Sequence, residues 1–138
     1  MTCFKSEFEF QSALIKQLKQ LWAYVRNIAD IWRVQKPFDI SMNFLWKWWA
    51  LELKIWKLKS RPKPDQMIKK LYPHQIANLI EFSWWKSQGI SLVIAYDATH
   101  NEVIIYEIYP VKDQVVLHEL KSFEWETWCA QKILDLFF

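Results

Sequence analysis

The sequence has little glycine and little cysteine: Gly89 is the single glycine, and Cys3 and Cys129 are the two cysteines. The cysteines stand at opposite ends of the chain in no metal-like spacing, so they hold neither a disulfide framework nor a cysteine-bound metal. They read as free thiols in a reducing cytosol. Long hydrophobic runs are also missing. Charge interrupts every apolar stretch within a few residues, which excludes a membrane-spanning helix. The opening "MTCFKSEFEF" lacks the basic start and apolar block of a signal peptide, so a cytoplasmic protein is expected. Repeats and low-complexity tracts are absent. What is present is apolar: 52% hydrophobic and 17% aromatic residues, ten of them Trp, which argues against global disorder. At 138 residues the chain fits one domain, 1–138, with a core that needs no staples.

Periodicity divides the chain into elements. Phe10, Leu14, Leu18 and Leu21 recur at helical spacing, and Ser6 followed by Glu9 is a capping-box start, so a helix is expected over Ser6–Leu21. Ala23–Ile28 reads as a short strand. Phe38–Phe44 and Trp48–Trp56 alternate with period two and read as a hairpin centred between Leu45 and Trp46. A charged, proline-containing stretch over about 57–71 reads as a mobile loop. Pro73 opens a second helix in its favoured first position, with a core stripe of Ile76, Leu79, Ile80, Ser83 and Trp84 and Gly89 as its C-cap. "ISLVIAY" and "EVIIYEI" are two apolar strands, and a helical tail is expected over about 120–138. The order αβββαββα gives an α/β (α+β mixed) fold, a mixed sheet flanked by helices.

Three charges interrupt the two apolar strands of this hairpin. Residues two apart on a strand share a face, so Glu52 and Lys54 project together, away from Leu51, Leu53 and Ile55. The expected register sets Asp39 opposite Glu52, where Cβ atoms lie about 5 Å apart. Two carboxylates that close repel, and a divalent cation removes the conflict. Mg²⁺ takes one or two carboxylates plus waters and substrate phosphate oxygens. An ammonium beside such a pair can orient the attacking water or stabilise charge in a phosphodiester transition state. Alone, Glu-x-Lys is a common pair on a solvated strand face. Two helices add to it here: Glu7 lies on the apolar stripe of the first helix, and Gln75 flanks the stripe of the second. For Glu7 the plainer reading is stabilisation of a first helical turn, and His74 reads as a cap or surface residue.

Together, Glu7, Asp39, "ELK" (Glu52–Lys54) and "HQ" (His74–Gln75) resemble the PD-(D/E)xK nuclease superfamily, with a restriction-endonuclease-like core. They look most like Holliday junction resolvases of the RecU type and their phage relatives. "EFEFQSALIKQLKQL", "WALELK" and "GISLVIAYDATHNEVIIYEI" carry the likeness over roughly residues 5–110. Here the aspartate follows "PF", so Pro37 stands one residue from its commonest place. The resemblance implies that Asp39, Glu52 and the Leu53 backbone carbonyl bind Mg²⁺ or Mn²⁺, with Glu7 contributing through water. It places Lys54 by the attacking water and gives Gln75 an orienting role. It implies a homodimer that nicks four-way DNA junctions in recombination and repair, in the host cytoplasm if phage-encoded.

Net charge is +3 but unevenly spread: Lys54–Lys70 holds seven basic residues against Asp65, and Asp97–Asp135 holds eight acids against three lysines. In a DNA enzyme, Lys57, Lys59, Arg61, Lys63, Lys69 and Lys70 would contact phosphates, with Arg26 and Arg33 as further candidates. The tryptophans Trp46, Trp48, Trp49, Trp56, Trp84 and Trp85 read as core or subunit interface. Competing readings are a nuclease of the same superfamily acting on flaps, nicks or ends, a non-catalytic nucleic-acid-binding module, and a Trp-rich protein at a membrane surface. Against the last, the basic segment coincides with prolines rather than with an amphipathic helix.

Overall fold

The computed structural model describes residues 3–21, 24–27, 39–44, 47–85, 89–111, 114–126 and 128–136. Along the chain these form α1 (Glu7–Gln20), β1 (Tyr24–Asn27), β2 (Ile40–Phe44), β3 (Lys47–Trp56), α2 (Pro64–Ile68), α3 (Pro73–Trp85), β4 (Gly89–Asp97), β5 (Glu102–Val111), β6 (Gln114–Glu124) and α4 (Cys129–Asp135). The strands make one six-stranded sheet in the order β1-β2-β3-β4-β5-β6. Every neighbouring pair is antiparallel except β3 and β4. Parallel neighbours need a crossover, and α2 and α3 supply it. The expected mixed sheet flanked by helices is therefore the observed one.

Strand alternation sorts the core into two layers. Leu51, Leu53, Ile40, Met42, Leu92 and Ile94 pack with Phe10, Leu14 and Leu18 of α1 and Ile133 and Leu134 of α4. On the opposite face, Ala50, Trp56, Val93, Ala95, Ile104 and Tyr106 pack with Met67 of α2 and Leu79 of α3. Helix α1 starts where the capping signal put it: the Ser6 hydroxyl accepts the Glu9 N–H at 3.2 Å. The Glu9 carboxylate reaches one residue beyond the cap and accepts the Lys5 N–H at 2.9 Å. Of the six tryptophans expected in core or interface, Trp49 and Trp56 are buried and Trp48 is exposed. Trp46 lies outside the described residues, as do the side chains of Trp84 and Trp85.

Three expectations are corrected. The segment 57–71 is not wholly loop, because Pro64–Ile68 forms α2. Pro64 fixes its first turn, and Gln66 Oε1 accepts the Lys63 N–H at 3.1 Å. Met67 and Leu71 then bury their side chains in the second layer, which docks the segment on the sheet. Second, the helical tail expected over 120–138 begins later. Strand β6 runs to Glu124, and α4 spans only Cys129–Asp135. A register shift opposite Ile105/Tyr106 hides β6 in the sequence. Before it, Val115 and Leu117 face the α2/α3 layer. Leu120, the extra residue at the shift, and Phe123 beyond it pack on the α1/α4 layer. A bulge breaks the period-two pattern in this way. Third, Gly89 does not cap a helix with a left-handed residue. It opens β4, and the one described residue with positive φ is Asn101, at 54°.

Met67→Ala removes the apolar anchor of α2 and is expected to cost about 2–5 kcal/mol. Urea unfolding measures the loss. Hydrogen exchange at Gln66 and Met67, whose N–H groups bond to the Lys63 carbonyl, should quicken in step. A second expectation concerns pH. Cys129 is buried, and burial pushes its thiol from 9.0 up to about 11. The folded value lies above the unfolded one, so the thiol's stabilisation is complete below pH 9 and is lost as pH rises through about 11. The swing is on the order of 3 kcal/mol. Cys129→Ala should lose less stability across that window than the parent in parallel urea titrations.

Candidate active site

Strand β3 outlasts β2. The pair runs from Phe44↔Lys47 to Ile40↔Leu51, which is the register expected for a hairpin centred between Leu45 and Trp46. The ladder then stops one pair short of the expected Asp39–Glu52 opposition. The Asp39 N–H also bonds to the Leu51 carbonyl, at 3.1 Å, so the chain turns away there. Past that point β3 continues to Trp56 and remains paired with β4 on its other side. The edge that β2 has left presents the backbone groups of Leu53 and Ile55.

Side chains from three elements close that edge. Asp39 Oδ2 accepts the Leu53 N–H at 2.8 Å. Glu7, from the first turn of α1, accepts the Ile55 N–H through Oε1 at 3.4 Å. Lys70, from the α2–α3 connection, donates to the Ile55 carbonyl at 2.8 Å and lies 5.3 Å from the centre of the Trp56 ring. The Leu53 carbonyl shares this edge with its own N–H, because both groups of one strand residue point the same way.

Glu52 and Lys54 project onto the α2/α3 face, between Ala50 and Trp56. They are buried, at 1% and 6% relative exposure, as are Asp39 at 6% and Gln75 at 7%. Lys54 Nζ lies 3.8 Å from Glu52 Oε1 and 3.3 Å from Gln75 Oε1. The same Gln75 oxygen accepts the Tyr72 N–H at 3.0 Å. Gln75 is the third residue of α3, and its reach back to the residue before the helix is half of a capping box. One oxygen thus caps the helix and holds the lysine. The residues singled out in the sequence as Glu7, Asp39, Glu52, Lys54 and Gln75 all meet β3 between positions 52 and 55.

The DNA-contact candidates divide. Lys57, Lys59, Lys63 and Lys69 are exposed and form no ion pair among the described residues. Arg61 is engaged: Nη1 lies 2.9 Å from Glu119 Oε1 and Nε 3.4 Å from Glu102 Oε2. Its hydrogen bond to Glu119, with the charges of Glu119 and Glu102, raises its pKa further. Arg61 therefore ties the segment before α2 to β5 and β6. Lys70 is likewise occupied by the Ile55 carbonyl. Arg26 lies in β1 opposite Ser41, and Arg33 is outside the described residues. Sequence reasoning missed Tyr72, which sits beside the lysine. Its place immediately before the helix-opening Pro73 was the available signal. His74 stacks on Tyr72, with ring centres 5.9 Å apart and planes 7° from parallel.

Among the described residues, no group of three or more His, Cys, Asp and Glu side chains could hold a metal ion by itself. Mg²⁺ asks for less, taking one or two carboxylates and completing its octahedron with water and phosphate oxygens. Asp39, Glu52 and the Leu53 carbonyl are hard oxygen donors of that kind, so the residues present fit a Mg²⁺-type ion.

No family model matches the chain, and no curated protein does. Among solved structures, the chain is similar to Hjc of Archaeoglobus fulgidus, a Holliday junction resolvase from an archaeal hyperthermophile. The match has a TM-score of 0.53 at 14% identity and covers 81% of this chain and 87% of that one. The likeness establishes a shared fold, the restriction-endonuclease-like core expected from the sequence.

The Asp39 carboxylate has a structural duty that can be measured apart from any chemistry. Asp39→Ala leaves the buried Leu53 N–H without its acceptor and should cost about 1–3 kcal/mol. Asp39→Asn keeps an acceptor oxygen and should cost less. Urea unfolding of the two variants separates them, and equal stability of Asp39→Ala and the parent would contradict this geometry.

Proposed function

We propose that the chain is a divalent-metal-dependent, structure-selective DNA endonuclease that acts on four-way junctions as a homodimer. The observation that carries this reading is the Asp39–Glu52–Lys54–Gln75 constellation, buried where β2 ends and β3 continues. Burying two carboxylates and an ammonium is costly unless they serve one another or a ligand. The fold shared with an archaeal Holliday junction resolvase and the RecU-like residues support the same reading.

Asp39, Glu52 and the Leu53 carbonyl would hold Mg²⁺ or Mn²⁺, with Glu7 reaching the site through water. Such an ion, when bound, supplies Lewis acidity toward the phosphate and lowers the pKa of a bound water. The chain's own groups do the rest. Lys54 Nζ donates a hydrogen bond to the attacking water and offsets charge as the water's P–O bond forms and the P–O bond to the leaving sugar oxygen breaks, that oxygen taking up a proton from solvent. Gln75 fixes the direction of that ammonium. Glu7 and Lys70 hold Ile55 from both of its backbone groups, which keeps the strand end in place. Lys57, Lys59, Lys63 and Lys69 offer phosphate contacts that favour DNA regardless of sequence. No helix among the described residues is long and apolar enough to cross a membrane, and the cytoplasm suits a DNA enzyme.

Labelled four-way junction, flap and linear duplex, incubated with and without Mg²⁺, test the proposal. The expected result is metal-dependent, paired and symmetric nicking of the junction. Asp39→Asn, Glu52→Gln and Lys54→Ala should each slow cleavage by at least about 100-fold, while junction binding is retained. Full activity in all three variants, or equal cutting of linear duplex, would overturn it.

A further inference from the structure

Tyr72 is 63% exposed although it stands beside the buried lysine. Its backbone is fixed on both sides. The Tyr72 N–H donates to Gln75 Oε1 at 3.0 Å, and its carbonyl accepts the N–H groups of Gln75 and Ile76 at 3.0 and 3.1 Å. Pro73 follows and locks the next φ. The ring therefore projects from a rigid base, with little backbone freedom left to lose when something packs on it. The imidazole of His74 stacks parallel to the ring, with centres 5.9 Å apart, and so backs it from one side. Lys54 Nζ lies 5.6 Å from the centre of the Tyr72 ring.

We infer that Tyr72, backed by His74, is a stacking platform for an unpaired nucleobase next to the phosphate bound at Lys54. The inference rests on the reading of the site as one that cleaves DNA, and it names what that site selects. Three features point to a base rather than to an apolar peptide. The surface is one exposed flat ring with a polar tip, backed by a second ring, rather than an apolar groove. Its surroundings are cationic, with Lys54, Lys69 and Lys70 on the adjoining segments. The separation between the ring and the ammonium is of the order of the span between a nucleotide's base and its phosphate. Inside a continuous duplex both faces of every base are covered by neighbours, so the platform finds nothing to hold. At a branch point a base can leave the stack and lie on Tyr72. Selection of DNA shape then follows from one side chain, and any base serves, because every base has a π-face.

The test uses the full chain and a four-way junction carrying 2-aminopurine at successive positions around the branch, without divalent ions. A matching linear duplex is the control. The parent and Tyr72→Phe should change the 2-aminopurine signal at one position next to the branch. Tyr72→Ala should lose that signal and bind the junction about tenfold more weakly, with duplex affinity unchanged. Because the ring is exposed, circular dichroism of Tyr72→Ala should match the parent. If Tyr72→Ala keeps both signal and affinity, or if the parent binds junctions with no responsive position, the platform is refuted and the nuclease reading stands. If the parent binds no DNA, both fall together.

Discussion

One hydrogen bond, from the Leu53 N–H to the Asp39 carboxylate at 2.8 Å, lets β3 continue after β2 has ended. A strand that loses its neighbour exposes a row of donors and acceptors that must be satisfied elsewhere. Here the row is short, Leu53 and Ile55, and side chains rather than another strand meet it. Asp39 and Glu7 supply acceptors, and Lys70 supplies a donor. The consequence is chemical as well as structural. The place where the sheet opens is lined with carboxylates because carboxylates are what an orphaned N–H can use. The geometry of these side chains is thereby fixed by the fold itself.

The second constraint is the crossover. Since β3 and β4 are parallel, the chain between them must cross one face of the sheet, and α3 lies on the face that carries Glu52 and Lys54. Pro73 sets where that helix starts, and Gln75 sits one turn in. Its side chain oxygen answers two donors, the Tyr72 N–H and the Lys54 ammonium. Moving the helix start would move the lysine's partner with it. A lysine buried on a largely apolar face needs such partners, because desolvating the charge costs several kcal/mol without them.

Much of this was legible in the sequence, and the reasons are physical. The alternation of β2 and β3 fixes faces, and the symmetric hairpin fixes register, so Glu52 and Lys54 could be separated from Leu51, Leu53 and Ile55 without coordinates. The four-residue spacing of Phe10, Leu14 and Leu18 oriented α1 and with it Glu7. What failed to show was structure that alternation cannot carry. Strand β6 changes face at its bulge, so its apolar residues lose their phase. Helix α2 is five residues long and offers the core little beyond Met67. In a charged stretch, Met67 and Ile68 are outweighed by the lysines around them. The end of the β2–β3 ladder at Ile40 was also invisible, because it depends on a backbone turn at Asp39 rather than on any side-chain pattern.

The uneven charge of the sequence has a related resolution. Of the seven basic residues between Lys54 and Lys70, three are occupied within the protein. Lys54 meets Gln75 and Glu52, Lys70 meets the Ile55 carbonyl, and Arg61 meets two acids from the acidic half of the chain. Glu102 and Glu119 thus draw the basic segment down onto β5 and β6, and Met67 fastens it from beneath. Lys57, Lys59, Lys63 and Lys69 are left outward. Their positions are set by an anchored segment, not by a free loop. A free loop of lysines would follow any polyanion. Lysines on an anchored segment instead keep the spacing that Arg61 and Met67 impose.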